Sequence, residues 1–155
     1  MQFKEDFDKV VQFVDDLNHN VEVTKNTDND YFYPDSKTII IQDRDGDFKT
    51  MLLYLLHETG HMINHLKWKK SNKAWSKKYL RYSLDNNVNE DKEYFEDWFQ
   101  VSNMLEENLA WSSGKELISK LKLSLSHEDF DIEWTDAIKA YILHSANVLN
   151  NKQKS

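Results

Sequence analysis

His57, Glu58 and His61 lie in the run MLLYLLHETGHMINH, from Met51 to His65, and have the types and spacing of a metal-assisted hydrolytic site. On an α-helix a four-residue step turns about 40° past one full turn and rises about 6 Å, so both imidazoles leave one face. Two nitrogen ligands on one face can reach a tetrahedral zinc ion at about 2.0–2.1 Å each. Glu58 is displaced around the helix from His57. It can stay off the metal and act as general base on a water beside it. His65, four residues further on, continues the series, but three residues on one straight helix span roughly 12 Å and cannot converge on one ion. Its expected place is the helix end or the wall of a cleft.

A catalytic zinc site needs a third protein ligand and an open position. The chain has no cysteine, which leaves His, Glu and Asp. In LEENLAWSSGKEL, Glu107 shares a helical stripe with Gln100, Asn103, Ala110 and Gly114. Small residues on that stripe would let two helices approach closely and carry the Glu107 carboxylate to the metal. Glu106, about 100° away around the helix, is the alternative. Gly60 costs about 1 kcal/mol relative to Ala inside a helix, a cost that suits close approach of another backbone.

The elements that must position these groups follow from periodicity. Residues 3–17 read as an amphipathic helix, with Phe3, Phe7, Val10, Val11, Val14 and Leu17 on one face. Strands are expected at Val21–Val23, Tyr31–Tyr33 and Thr38–Gln42. DRDGD departs from the calcium-loop spacing and reads as a turn, with Asp45 or Asp47 capping the next helix. Helices are expected at about 48–66, 72–84, 90–121 (with a bend near SSG) and 132–149. Residues 1–150 read as one domain and 151–155 as a frayed tail.

Composition bounds the function. With 155 residues, 39% hydrophobic, the chain can bury one sizeable core. One Pro and three Gly favour long helices. No apolar run approaches the length of about 20 residues that spans a bilayer, and the acidic amphipathic N-terminus lacks a signal-peptide pattern, so the expected location is cytoplasmic with no membrane partner. A formal net charge of −7 argues against a surface built wholly for nucleic acid. The basic segment 67–81, KWKKSNKAWSKKYLR, is the exception. It suits a solvated helix face, an exosite for an anionic partner, or a nucleic-acid grip.

An Ile-rich strand, then LLHETGHMINH, then EENLAW resembles the zincin metallopeptidases with a glutamate third ligand, the gluzincins. It is most similar to the small ImmA/IrrE-type and phage-borne members. The resemblance covers roughly residues 31–66 and 100–121. It implies His57, His61 and Glu107 as Zn2+ ligands and Glu58 as catalytic base. It also implies an α+β fold, mostly helical, with a small N-terminal sheet packed on the HExxH helix. The strand Thr38–Gln42 would be the sheet edge along which an extended peptide lies. Thr59 and Trp111 depart from the family pattern. Trp111 stands where many gluzincins have Asp or Asn to orient a ligand histidine, so the partner of His57 must come from elsewhere.

The expected activity is zinc-dependent hydrolysis of peptide bonds in a protein or peptide substrate. The oxyanion-stabilising or cleft residue is left open among His65, Tyr94, His127, Tyr141 and His144. Two other classes stay in view: an inactive metallopeptidase-like partner-binding protein of a phage or mobile element, and a nucleic-acid-binding module using residues 67–81.

Overall fold

A computed structural model of the chain describes residues 2–71 and 92–152. Among the described residues, four helices, α1 (Gln2–Asp16), α2 (Phe48–Ser71), α3 (Lys92–Lys120) and α4 (His127–Lys152), accompany three strands, β1 (Asn20–Thr24), β2 (Tyr31–Tyr33) and β3 (Thr38–Gln42). The fold is the mostly helical α+β arrangement with an N-terminal sheet that the sequence led us to expect. The expected helix over 72–84 lies outside the described residues. α2 runs five residues past its expected end, α4 begins five residues earlier than expected, and α3 is continuous through Ser112–Gly114 with no break.

The helix ends have local causes. Asp47 caps α2: its carboxylate accepts hydrogen bonds from the Thr50 N–H at 3.1 Å and the Thr50 hydroxyl at 2.7 Å, and these bonds hold its pKa below the ordinary value. α1 closes with Asn18 in the left-handed region (φ 57°), its N–H bonded to the Asp15 carbonyl and the His19 N–H to the Val14 carbonyl. This pairing satisfies the last carbonyls, and Asn tolerates the conformation better than other non-glycine residues.

The sheet order is β1-β3-β2, with β3 parallel to β1 and antiparallel to β2. This corrects the expectation that Thr38–Gln42 is a sheet edge. β3 is hydrogen-bonded on both sides, and Ile39 and Ile41 are fully buried. Three consecutive isoleucines suit that central place, because a paired strand can be covered on both faces. The edge facing the cleft is β2.

α2 is the core helix. Met51, Leu52, Leu53, Leu55 and Leu56 are buried, and so is every residue from His57 to Gly60. It packs against α1, β2, β3 and α3, and the shared core includes Val10, Val14, Trp111, Leu117 and Phe130. A helix this apolar around its circumference is stable only when surrounded.

Asp6 of α1 ties that helix to the α3–α4 turn. It is 2% exposed and accepts hydrogen bonds from the Ser124 N–H (2.6 Å) and hydroxyl and from Lys9 (3.0 Å). Burial pushes its carboxyl up, but the bonds from Ser124 and Lys9 outweigh this and leave the pKa lowered. Asp6→Ala is expected to destabilise the protein by about 1–3 kcal/mol, because it removes hydrogen bonds from Ser124 and Lys9 to a buried charged acceptor. A lowered folded-state pKa places this contribution above the unfolded carboxyl pKa of about 3.9, and it is lost as pH falls through the folded value. Urea unfolding at pH 7 and pH 3 should therefore show a smaller gap between variant and wild type at pH 3.

Candidate metal centre

α2 and α3 cross at two glycines. A Cβ on Gly60 would sit 2.7 Å from the carbonyl carbon of Ala110 and closer still to its oxygen. A Cβ on Gly114 would sit 2.8 Å from the carbonyl carbon of Leu56. The two backbones therefore touch, and the stripe of Ala110 and Gly114 does what its residue sizes suggest. The buried Asn64 accepts a hydrogen bond from Ser113 at 2.8 Å and pins the same pair of helices.

This contact brings Glu107 to both imidazoles. His57 Nε2 lies 3.0 Å from Glu107 Oε2, and His61 Nε2 lies 3.4 Å from Glu107 Oε1. Ligands held at about 2.0–2.1 Å in a tetrahedral shell stand about 3.3 Å apart, so these spacings match the edges of such a shell. The ligand atoms of His57, Glu58 and His61 lie within 4.8 Å of one another. Glu107 Oε2 is buried and has no hydrogen bond of proper geometry among the described residues, although it lies 3.0 Å from His57 Nε2. A carboxylate that sets one oxygen against each of two imidazole nitrogens is a donor set that fits a divalent cation.

The electrostatics agree. Burial raises the Glu107 carboxyl, but contact with His57 and His61 pulls it down to about 2. Burial lowers His57, whereas at His61 the Glu107 carboxylate outweighs burial and raises the pKa. Glu58 is 6% exposed and lies 3.7 Å from His57 Nε2, and burial lifts its pKa to about 7. Glu106 also faces the cleft, its pKa raised by burial and by Glu107, but His57 and His61 both contact Glu107.

His57 stacks on Trp111 with ring centroids 4.3 Å apart and an interplanar angle of 29°. Its Nδ1 is buried without a protein hydrogen-bond partner among the described residues. Stacking on the indole thus takes over the orienting task that a carboxylate or amide would perform. The departure at Thr59 is structurally satisfied, since its buried hydroxyl donates to the Leu55 carbonyl at 2.6 Å.

Two lobes open from the centre and share Asp30, His57, Glu58 and Tyr141. The larger, about 480 Å³, runs past β2 toward His65, Trp68, Asn103 and Glu106. The smaller, about 260 Å³, runs toward Asp28, Arg44, Tyr54 and Ala137. His65 lines the larger lobe edge-on to Phe32, with ring centroids 5.9 Å apart, and is not one of the converging ligand groups. Tyr141 lines both lobes, and burial and the Glu107 carboxylate raise its pKa.

His144 is exposed and lines neither lobe, and His127 sits at the start of α4 with its Nε2 3.1 Å from the Ser119 hydroxyl. The side chain of Tyr94 lies outside the described residues. Of the basic segment, Lys67, Lys69 and Lys70 are exposed on the end of α2, while Lys73, Lys77, Lys78 and Arg81 lie outside the described residues.

Sequence reasoning missed Asp30. It accepts two hydrogen bonds from the Arg44 guanidinium, at 2.6 and 3.1 Å, and one from the Gln42 N–H at 2.8 Å. The pair clamps the approach to β2 against the end of β3, and β2 lines the larger lobe. No local pattern marks it, since Asp beside a strand is ordinarily a boundary residue.

The fold and site together define a mostly helical α+β protein in which His57, Glu58 and His61 could hold a metal and Glu107 lies against both imidazoles. Comparison with known protein families, curated proteins and solved structures gave no match to the chain. Among the described residues, no helix is long and apolar enough to cross a membrane.

Proposed function

We propose that the protein is a zinc-dependent metallopeptidase of the gluzincin type that its motifs resemble. The observation that carries this reading is the approach of Glu107 to both His57 and His61, with one buried carboxylate oxygen that has no hydrogen bond of proper geometry among the described residues. Held by His57, His61 and Glu107, zinc would supply a Lewis acid that polarises the peptide carbonyl and acidifies a water. Glu58, buried beside His57 and with its pKa lifted to about 7, takes the proton of the attacking water and passes it to the leaving amine. Tyr141 keeps its proton at neutral pH and is the cleft group we assign to the developing oxyanion. The two lobes on either side of the centre suit a chain that continues in both directions, and hence cleavage within a peptide.

The test is metal analysis of the purified wild type beside Glu107→Ala and Glu106→Ala. About one zinc per chain is expected in the wild type and in Glu106→Ala. Glu107→Ala should weaken zinc binding by more than about 100-fold, beyond what loss of an outer-shell partner does. A wild type without stoichiometric zinc, or a Glu107→Ala protein that keeps it, would overturn the reading.

A further inference from the structure

We infer that the larger lobe is a specificity pocket for a cationic side chain, arginine or lysine, of the peptide substrate, with Glu106 as its selecting residue. The inference rests on the peptidase reading and adds a substrate class to it.

The walls are aromatic. Tyr31, Phe32, Trp68 and Tyr141 line the lobe, and Asn103 and Glu106 stand one turn apart on α3. Ring faces attract a guanidinium or ammonium group within about 6 Å, most strongly where water is displaced. A carboxylate beside a carboxamide presents oxygen acceptors to a planar fork of N–H donors.

Charge accounting singles out Glu106. Glu107 lies 3.0 and 3.4 Å from His57 and His61, and Glu58 lies 3.7 Å from His57. Asp30 is cancelled by Arg44 at 2.6 Å. Glu106 is half-buried, and none of the described residues forms an ion pair with it. A carboxylate held partly out of water without a cation is compensated when the ligand brings one. A volume of about 480 Å³ has room for a long side chain beside the peptide backbone.

The experiment uses nonapeptides of alanine and glycine carrying one arginine at each position in turn, and a matched set with citrulline, which keeps the shape and loses the charge. Binding to the zinc-loaded full chain with Glu58→Gln and hydrolysis by the wild type are both measured. At one position arginine should be favoured about tenfold, the size expected of a partly desolvated cation contact. Glu106→Gln, isosteric and uncharged, should bring the ratio near one, and Glu106→Lys should invert it. Equal behaviour of the two sets at every position, no detectable binding by either, or a preference that survives Glu106→Gln overturns the inference. Hydrolysis without charge preference would leave the peptidase reading intact and remove the pocket. Arginine-selective binding lost in Glu106→Gln, with no hydrolysis by the wild type, would keep the pocket and remove the peptidase reading.

Discussion

Glu58→Gln should lower peptide hydrolysis by about 10²–10⁴-fold while the protein keeps one zinc per chain. The carboxylate is nearly sealed from water, carries a pKa lifted to about 7, and lies outside the pair of imidazoles that Glu107 contacts. An amide of the same shape removes the proton acceptor without removing a metal ligand. It also removes a buried negative charge, so the metal-free variant should melt at or above the wild-type temperature, as with other uncompensated buried charges. Zinc content, thermal melting and hydrolysis of a denatured protein substrate are measured on one preparation. Hydrolysis at the wild-type rate, or loss of the zinc, would remove Glu58 from the role of base.

Gly60→Ala is expected to be among the most damaging single-methyl changes in the chain. Helix propensity alone favours alanine by about 1 kcal/mol, so any loss must come from packing. The added methyl would meet the Ala110 peptide unit, which cannot rotate aside as a side chain can. α3 must therefore move, and Glu107 lies one turn from the collision. Overpacking of this kind costs about 1–3 kcal/mol and occasionally more. Urea unfolding of the metal-free protein should show a loss above about 2 kcal/mol, and zinc competition should show weaker binding. A variant as stable as the wild type, with unchanged zinc affinity, would contradict the backbone contact itself.

What was legible in the sequence is what depends on spacing within one helix. His57, Glu58 and His61 could be placed on α2 from their numbers alone, and so could the exclusion of His65. Glu107, Ala110 and Gly114 could be read as one stripe because α3 is regular. Tyr141 and His144, both open candidates for the cleft, stand three residues apart, yet only Tyr141 enters it. Three-residue spacing leaves a wide angle between two side chains, and the cleft is narrow enough to separate them. Relations between distant segments were not legible. Strand order depends on which edges pair, and an Ile-rich strand carries no mark telling centre from edge. Asp30, Arg44 and Phe32 reach the cleft through that pairing, so no local signal announces them. The Trp111 stack was visible only as a missing carboxylate.

The paired glycines also set what kinds of error the site can tolerate. Each notch receives the backbone of the other helix, so α2 and α3 mesh at discrete settings and do not slide smoothly. The next setting along a helix is one pitch away, about 5.4 Å. That displacement exceeds the whole radius of a zinc coordination shell at about 2 Å. A half-slipped, partly competent centre is therefore absent from the repertoire of this helix pair. The donor set is assembled in one engagement, or it is not assembled.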